Sequence, residues 1–140
     1  MLKSIFHPSV VAVIVAAGLT GCGEKPVTRV YETAHEQPVT CLRIAVFPPD
    51  DALEKELKRL YDFSRECDAV LEVRHKENIG CNSNQNIQQK ALSAFPHHFL
   101  RMEVRRGLTP VYSYYIDLQY PADEEDARAA FVRLRTDLKF

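Results

Sequence analysis

TCLRIAVF at residues 40–47 and AVLEVRH at residues 69–75 flank a helical pattern, and these two runs carry the strongest topological signal in the chain. In the first, Leu42, Ile44 and Val46 alternate with Cys41, Arg43 and Ala45, the period of a strand with one buried face. Pro48-Pro49 ends it, since proline offers no ladder donor. Asp50 or Asp51 is placed to cap a helix over 52–66, where Leu53, Leu57, Leu60 and Tyr61 share one face. Glu54 and Lys58 lie one turn apart there, as an ion pair requires. In the second run Ala69, Leu71 and Val73 share a face. Strand, helix and strand joined by short links predict a crossover with parallel strands.

Working outward, two further strands follow. Leu100, Met102 and Val104 alternate with polar residues over 98–106, and Tyr112, Tyr114, Ile116, Leu118 and Tyr120 do so over 111–120. Gly107 to Pro110 suits a hairpin connection. Asp123 caps a last helix lined by Ala127, Phe131, Leu134 and Leu138, with Glu124 and Arg128 one turn apart. A loop over 76–86 and a short helix over 87–94, stopped by Pro96, complete the order. The expected fold is an α/β two-layer sandwich. A mixed four-stranded sheet carries two main helices on one face, an arrangement that resembles the ferredoxin-like fold. The alternative is an α+β fold with a separate hairpin.

The amino-terminal segment fixes the expected compartment. Val10 to Leu19 is an unbroken apolar run after a start bearing Lys3, too short to cross a bilayer core and of the length of a secretory signal. It ends in Leu19-Thr20-Gly21-Cys22. These four residues resemble the lipobox of bacterial lipoprotein precursors. The resemblance implies cleavage between Gly21 and Cys22, a lipid on the Cys22 thiol, and a cell-envelope protein anchored to a bilayer. Gly23 is not the aspartate that retains enterobacterial lipoproteins in the inner membrane, so the outer membrane, facing the periplasm, is expected. Multiple acyl chains make such anchoring stable.

Residues 1–21 are thus expected to be a signal peptide, 22–38 a lipidated tether and 39–140 one globular domain. Gly23, Pro26 and Pro38 interrupt the tether, which has no sustained apolar period. Lysine and arginine total 18 against 19 aspartate and glutamate, so no basic excess points to nucleic acid. With Cys22 lipidated, Cys41, Cys67 and Cys81 remain, and an oxidising envelope predicts one disulfide and one free thiol. Parallel strands with a returning helix place Cys41 beside Cys67. Cys81 lies past the far end of the second strand, roughly 23 Å away at about 3.3 Å per residue. Cys41–Cys67 is therefore the expected bridge.

Candidate chemistry is sparse. No CxxC pair suggests zinc. His75, His97 and His98 would form a metal site only if their strand ends met, and polar caps at strand ends account for them more simply. Ser64, Ser83, Ser93 and Ser113 lack a nucleophile-elbow context. Glu72 and Glu103 alternate with Arg74, Arg101 and Arg105, which points to cross-strand ion pairs rather than a catalytic carboxylate pair. The chain is accordingly expected to be non-enzymatic, with no cofactor and no metal. Tyr115 falls opposite the core-facing tyrosines, beside Arg101 and Arg105, and these three are the expected contacts to a periplasmic protein partner, because tyrosine and arginine are enriched at binding hot spots. Such a protein would serve an envelope or secretion complex, or act as a toxin-immunity factor. The alternative ligand is a cell-wall glycan at the Asn/Gln cluster of residues 82–89.

Overall fold

The computed structural model describes residues 25–76 and 98–140. The signal-like segment 1–21, Cys22, Cys81, the amide cluster at 82–89, the helix expected over 87–94 and His97 lie outside these residues. In chain order the elements are β1 (Val27–Val30), α1 (Glu32–Glu36), β2 (Arg43–Phe47), α2 (Asp51–Leu60), β3 (Ala69–Lys76), β4 (His98–Arg106), β5 (Thr109–Leu118) and α3 (Glu124–Leu138). The strands form one mixed sheet in the order β1-β5-β4-β3-β2, with β2 parallel to β3 and the other pairs antiparallel.

The alternating runs produce the strands expected of them. Ala69, Leu71 and Val73 of β3, Leu100, Met102 and Val104 of β4, and Tyr112 and Tyr114 of β5 are all buried. Strands β4 and β5 are joined through Gly107, whose φ of +57° lies in the left-handed region that glycine enters without steric cost. Both expected helix caps are present. The Asp50 carboxylate accepts bonds from the Ala52 and Leu53 amides at 3.0 Å, and Asp123 forms a reciprocal capping box with Asp126.

Leu53 and Leu57 of α2 and Ala127, Ala130, Phe131 and Leu134 of α3 enter the same core as the strands. The Tyr112 hydroxyl donates to Asp137 of α3 at 2.9 Å, which places α3 over the Tyr112 face of the sheet. α2 packs beside α3. A charged clamp joins them: Arg59 and Arg128 both donate to Glu56 at 2.8 Å, and Arg59 a second time at 3.0 Å. These guanidiniums, Arg59 first, hold the Glu56 carboxyl down to about 2. Arg128 therefore reaches across to α2 instead of pairing with Glu124 within its own helix. At one end of the helix pair Tyr61 meets Phe63, Phe131 and Phe140 edge-on, with ring centroids 5.0 to 5.9 Å apart.

The expected architecture requires correction at its amino-terminal side. The sheet has five strands, not four, and a third, short helix is present. Both additions come from the segment read as a tether. Val27 to Val30 pairs antiparallel with Tyr112 to Tyr115, and the Tyr31 amide continues the ladder to the Val111 carbonyl at 3.0 Å. The Thr33 hydroxyl of α1 donates to the Pro110 carbonyl at 2.7 Å. Arg106 donates to the Gln37 and Pro38 carbonyls at 2.7 and 3.0 Å. Residues 27–38 are thus part of the folded domain. A four-residue strand at an edge, exposed at Val27, Arg29 and Val30, shows no alternation because its hold is almost entirely backbone. α2 is also shorter than read: it stops at Leu60, since Tyr61 is extended.

Cys41 and Cys67 are disulfide-bonded, with Cα atoms 5.9 Å apart. Parallel pairing of β2 with β3 sets Arg43 beside Val70, so the chain entering each strand arrives at the same end of the sheet. The Ser64 amide donates to the Leu42 carbonyl at 2.9 Å and holds the return from α2 against that end.

Candidate binding face

The register puts a second set of side chains on the sheet face opposite α2 and α3. No described helix longer than α1 lies there. One row crosses all five strands as Phe47, Arg74, Arg101, Tyr115 and Val27, each the partner of the next. The row beside it runs Ala45, Glu72, Glu103, Ser113 and Arg29. Arg101 and Tyr115 are thus direct cross-strand neighbours, on the face to which the alternation of each strand assigns them. Arg105 lies four residues beyond Arg101 along β4, on the same face.

Glu103 organises this face. It is 7% exposed, the most buried charged group on the sheet. Its Oε2 accepts from Arg101 at 2.7 Å and its Oε1 lies 3.5 Å from Arg105. A buried carboxylate is tolerated only where it is paired, and here two cations share the task. Glu72 sits directly opposite Glu103, an unfavourable like-charge pair taken alone. Arg74 relieves it from along the strand, 3.3 Å from Glu72. The ion pairs therefore run along the strands, between residues two apart, rather than across them. Their effect is to hold three guanidiniums in fixed positions.

Aromatic rings lie between these cations. Phe99 stacks on Tyr115, with centroids 5.7 Å apart and planes inclined by 21°. The Tyr115 hydroxyl donates to Asp117 at 2.7 Å. The Arg74 guanidinium lies 5.9 Å from the Phe47 ring centroid. Alternation alone assigns Phe99 and Arg74 to this face. The contribution of β2, with Phe47 and Arg43, required the knowledge that β2 is the strand beside β3.

Other candidate chemistry is accounted for by structure. His75 and His98 lie on one face at adjoining strand ends. His75 is 9% exposed and its Nε2 lies 3.0 Å from the Pro48 carbonyl, a contact that fixes the proton on that nitrogen. Its nearest carboxylate oxygen, on Asp50, is 3.9 Å away. The His98 Nδ1 is buried without a hydrogen-bond partner among the described residues. Among those residues one group has metal-ligand spacing, Cys41, Cys67 and Asp68, but its two sulfurs are bonded to each other. Tyr112 and Tyr114 serve the core; burial, then the Asp137 carboxylate, pushes the Tyr112 hydroxyl well above its ordinary range. No described helix is long and apolar enough to cross a membrane.

No protein-family model matches the chain, and no curated protein or solved structure matches it either.

Proposed function

We propose that this protein is a lipid-anchored lipoprotein of the bacterial cell envelope, held in the outer membrane facing the periplasm. Its small non-enzymatic domain binds a periplasmic protein partner. The Leu19-Thr20-Gly21-Cys22 sequence supports the anchoring. The observation that carries the binding role is the Arg101–Tyr115 cross-strand pair on a sheet face that the two long helices leave open. Arg105 belongs to the same surface, fixed through Glu103. An arginine held by a carboxylate and a tyrosine stacked on phenylalanine lose little side-chain freedom on association, which favours affinity.

Two expected results test this reading. Cys22→Ala should leave an uncut, unlipidated precursor of higher apparent mass; normal processing and lipid labelling of that variant would remove the anchoring proposal. For the binding face, a photo-crosslinker placed on the sheet in the native envelope should capture a discrete protein product. Arg101→Ala with Tyr115→Ala should reduce that product severalfold, at a stability cost of about 2 kcal/mol from the charge-assisted bond that the buried Glu103 loses. An undiminished product in a folded double variant would place the partner elsewhere.

A further inference from the structure

We infer that the open sheet face docks an acidic protein surface, and that its anchor point is the depression between Phe47 and Phe99 at the Arg74–Lys76 end of β3. The inference deepens the binding role proposed above and rests on it. Its basis is charge. Register places Arg29, Arg43, Arg74, Lys76, Arg101 and Arg105 on this face, against Glu72, Glu103 and Asp117. The face thus has a cationic excess in a chain whose net charge is −1. The three carboxylates are already engaged: Glu72 by Arg74, Glu103 by Arg101 and Arg105, and Asp117 by the Tyr115 hydroxyl. Arg43 and Lys76, by contrast, form no ion pair with a described residue. A field of this sign steers and selects an anionic partner.

The chemistry of the partner follows from what lies between the cations. Phe47, Pro48, Arg74, Lys76 and Phe99 line a depression of about 400 Å³. Phe47 is 50% exposed and Val27, at the other end of the same row, 68% exposed. A polyanion of phosphate or sugar would use the cations and leave these apolar surfaces wet. A protein surface carrying carboxylates among apolar side chains satisfies both, with the planar guanidinium fork of Arg74 suited to a carboxylate. The Phe99 and Tyr115 rings stack on each other, so they offer a bilayer no projecting apolar wedge.

The chain contains no tryptophan, which permits a direct test with the full-length protein in detergent. The probe is a synthetic peptide alternating glutamate with leucine and bearing one tryptophan, whose fluorescence reports its own binding. It should bind, and more weakly as salt rises. Arg74→Glu with Lys76→Glu should weaken it by about tenfold or more, because two attractive contacts become repulsive. Arg74→Gln with Lys76→Gln should fall between. Lys55→Glu with Lys58→Glu, on the exposed side of α2, makes the same change in net charge and should leave binding in place. Both β3 side chains are exposed, so each variant should still unfold cooperatively; the Arg74 variants should melt somewhat lower because Glu72 loses its partner, and an unchanged circular dichroism spectrum shows that the fold is intact.

Equal binding of a lysine–leucine peptide would overturn the inference. So would an equal loss in the α2 variant, or displacement of the peptide by inorganic polyphosphate at matched charge. If the envelope crosslink is lost with Arg101→Ala and Tyr115→Ala yet persists with Arg74→Glu and Lys76→Glu, the partner is real but its acidity is refuted. Loss of the crosslink in neither variant refutes the binding face itself.

Discussion

Replacement of Cys41 and Cys67 together by alanine is expected to destabilise the domain by about 3.5 kcal/mol, the chain-entropy value for a link of this span. The two cysteines are 26 residues apart, and the loop between them contains all of β2 and α2. Without the bridge the unfolded chain regains the freedom that this loop had lost. The native state loses packing as well, because Cys67 is 6% exposed and lies beside Ala69, which is buried. For a domain near 100 residues, the melting temperature should fall by about 15 °C. Both cysteines must be changed at once, since a single replacement leaves a thiol free to pair with Cys81. Thermal unfolding followed by circular dichroism, with the reduced parent protein alongside, gives the measurement. A fall of only a few degrees in both samples would mean that β2 and β3 are held together in the unfolded ensemble by something other than the bridge.

The second large effect concerns the amino-terminal edge. A chain beginning at Pro38 should be less stable than one beginning at Gly23 by about 2–4 kcal/mol, taking about 0.5 kcal/mol, the low end for an intramolecular hydrogen bond, for each bond lost at this exposed edge. The bonds at stake are the β1–β5 ladder, the Tyr31 amide to Val111, the Thr33 hydroxyl to Pro110, and Arg106 to Gln37. Arg106 would keep its bond to Pro38 and its contact with Asp68 at 3.6 Å. The shorter chain would also present the outer edge of β5 to solvent. Residues 112–115 there read Tyr-Ser-Tyr-Tyr, an uncharged edge open to pairing with another copy. A lower melting temperature accompanied by concentration-dependent self-association is therefore expected. Equal melting and a monomeric truncated chain would restore residues 23–37 to the status of a tether.

That truncation also marks where sequence reading reached its limit. For β3, β4 and β5, burial on one face imposes a period of two on the side chains, and the period is visible in the chain itself. The caps at Asp50 and Asp123 were equally legible, because an N-cap is a contact between neighbours in sequence. So was the disulfide: a parallel crossover brings Cys41 and Cys67 to the same end of the sheet. Arg101 and Tyr115 could be assigned to one side from the alternation of their own strands.

The alternating strands, the capped helices, the parallel crossover with its Cys41–Cys67 bridge and the solvent side of the hairpin could all be read from neighbouring residues in the chain. Long-range packing, in contrast, sets Val27–Val30 at the edge of the sheet, clamps Arg128 to Glu56 rather than Glu124, and aligns Phe47, Arg74, Arg101 and Tyr115 in one row. The division has a physical cause. Side-chain burial repeats with the local geometry of each element and leaves its trace in neighbouring residues. An edge ladder is made by backbone groups common to almost every residue. Which charge meets which, and which rings share a row, depends on distances between elements that are far apart in the chain.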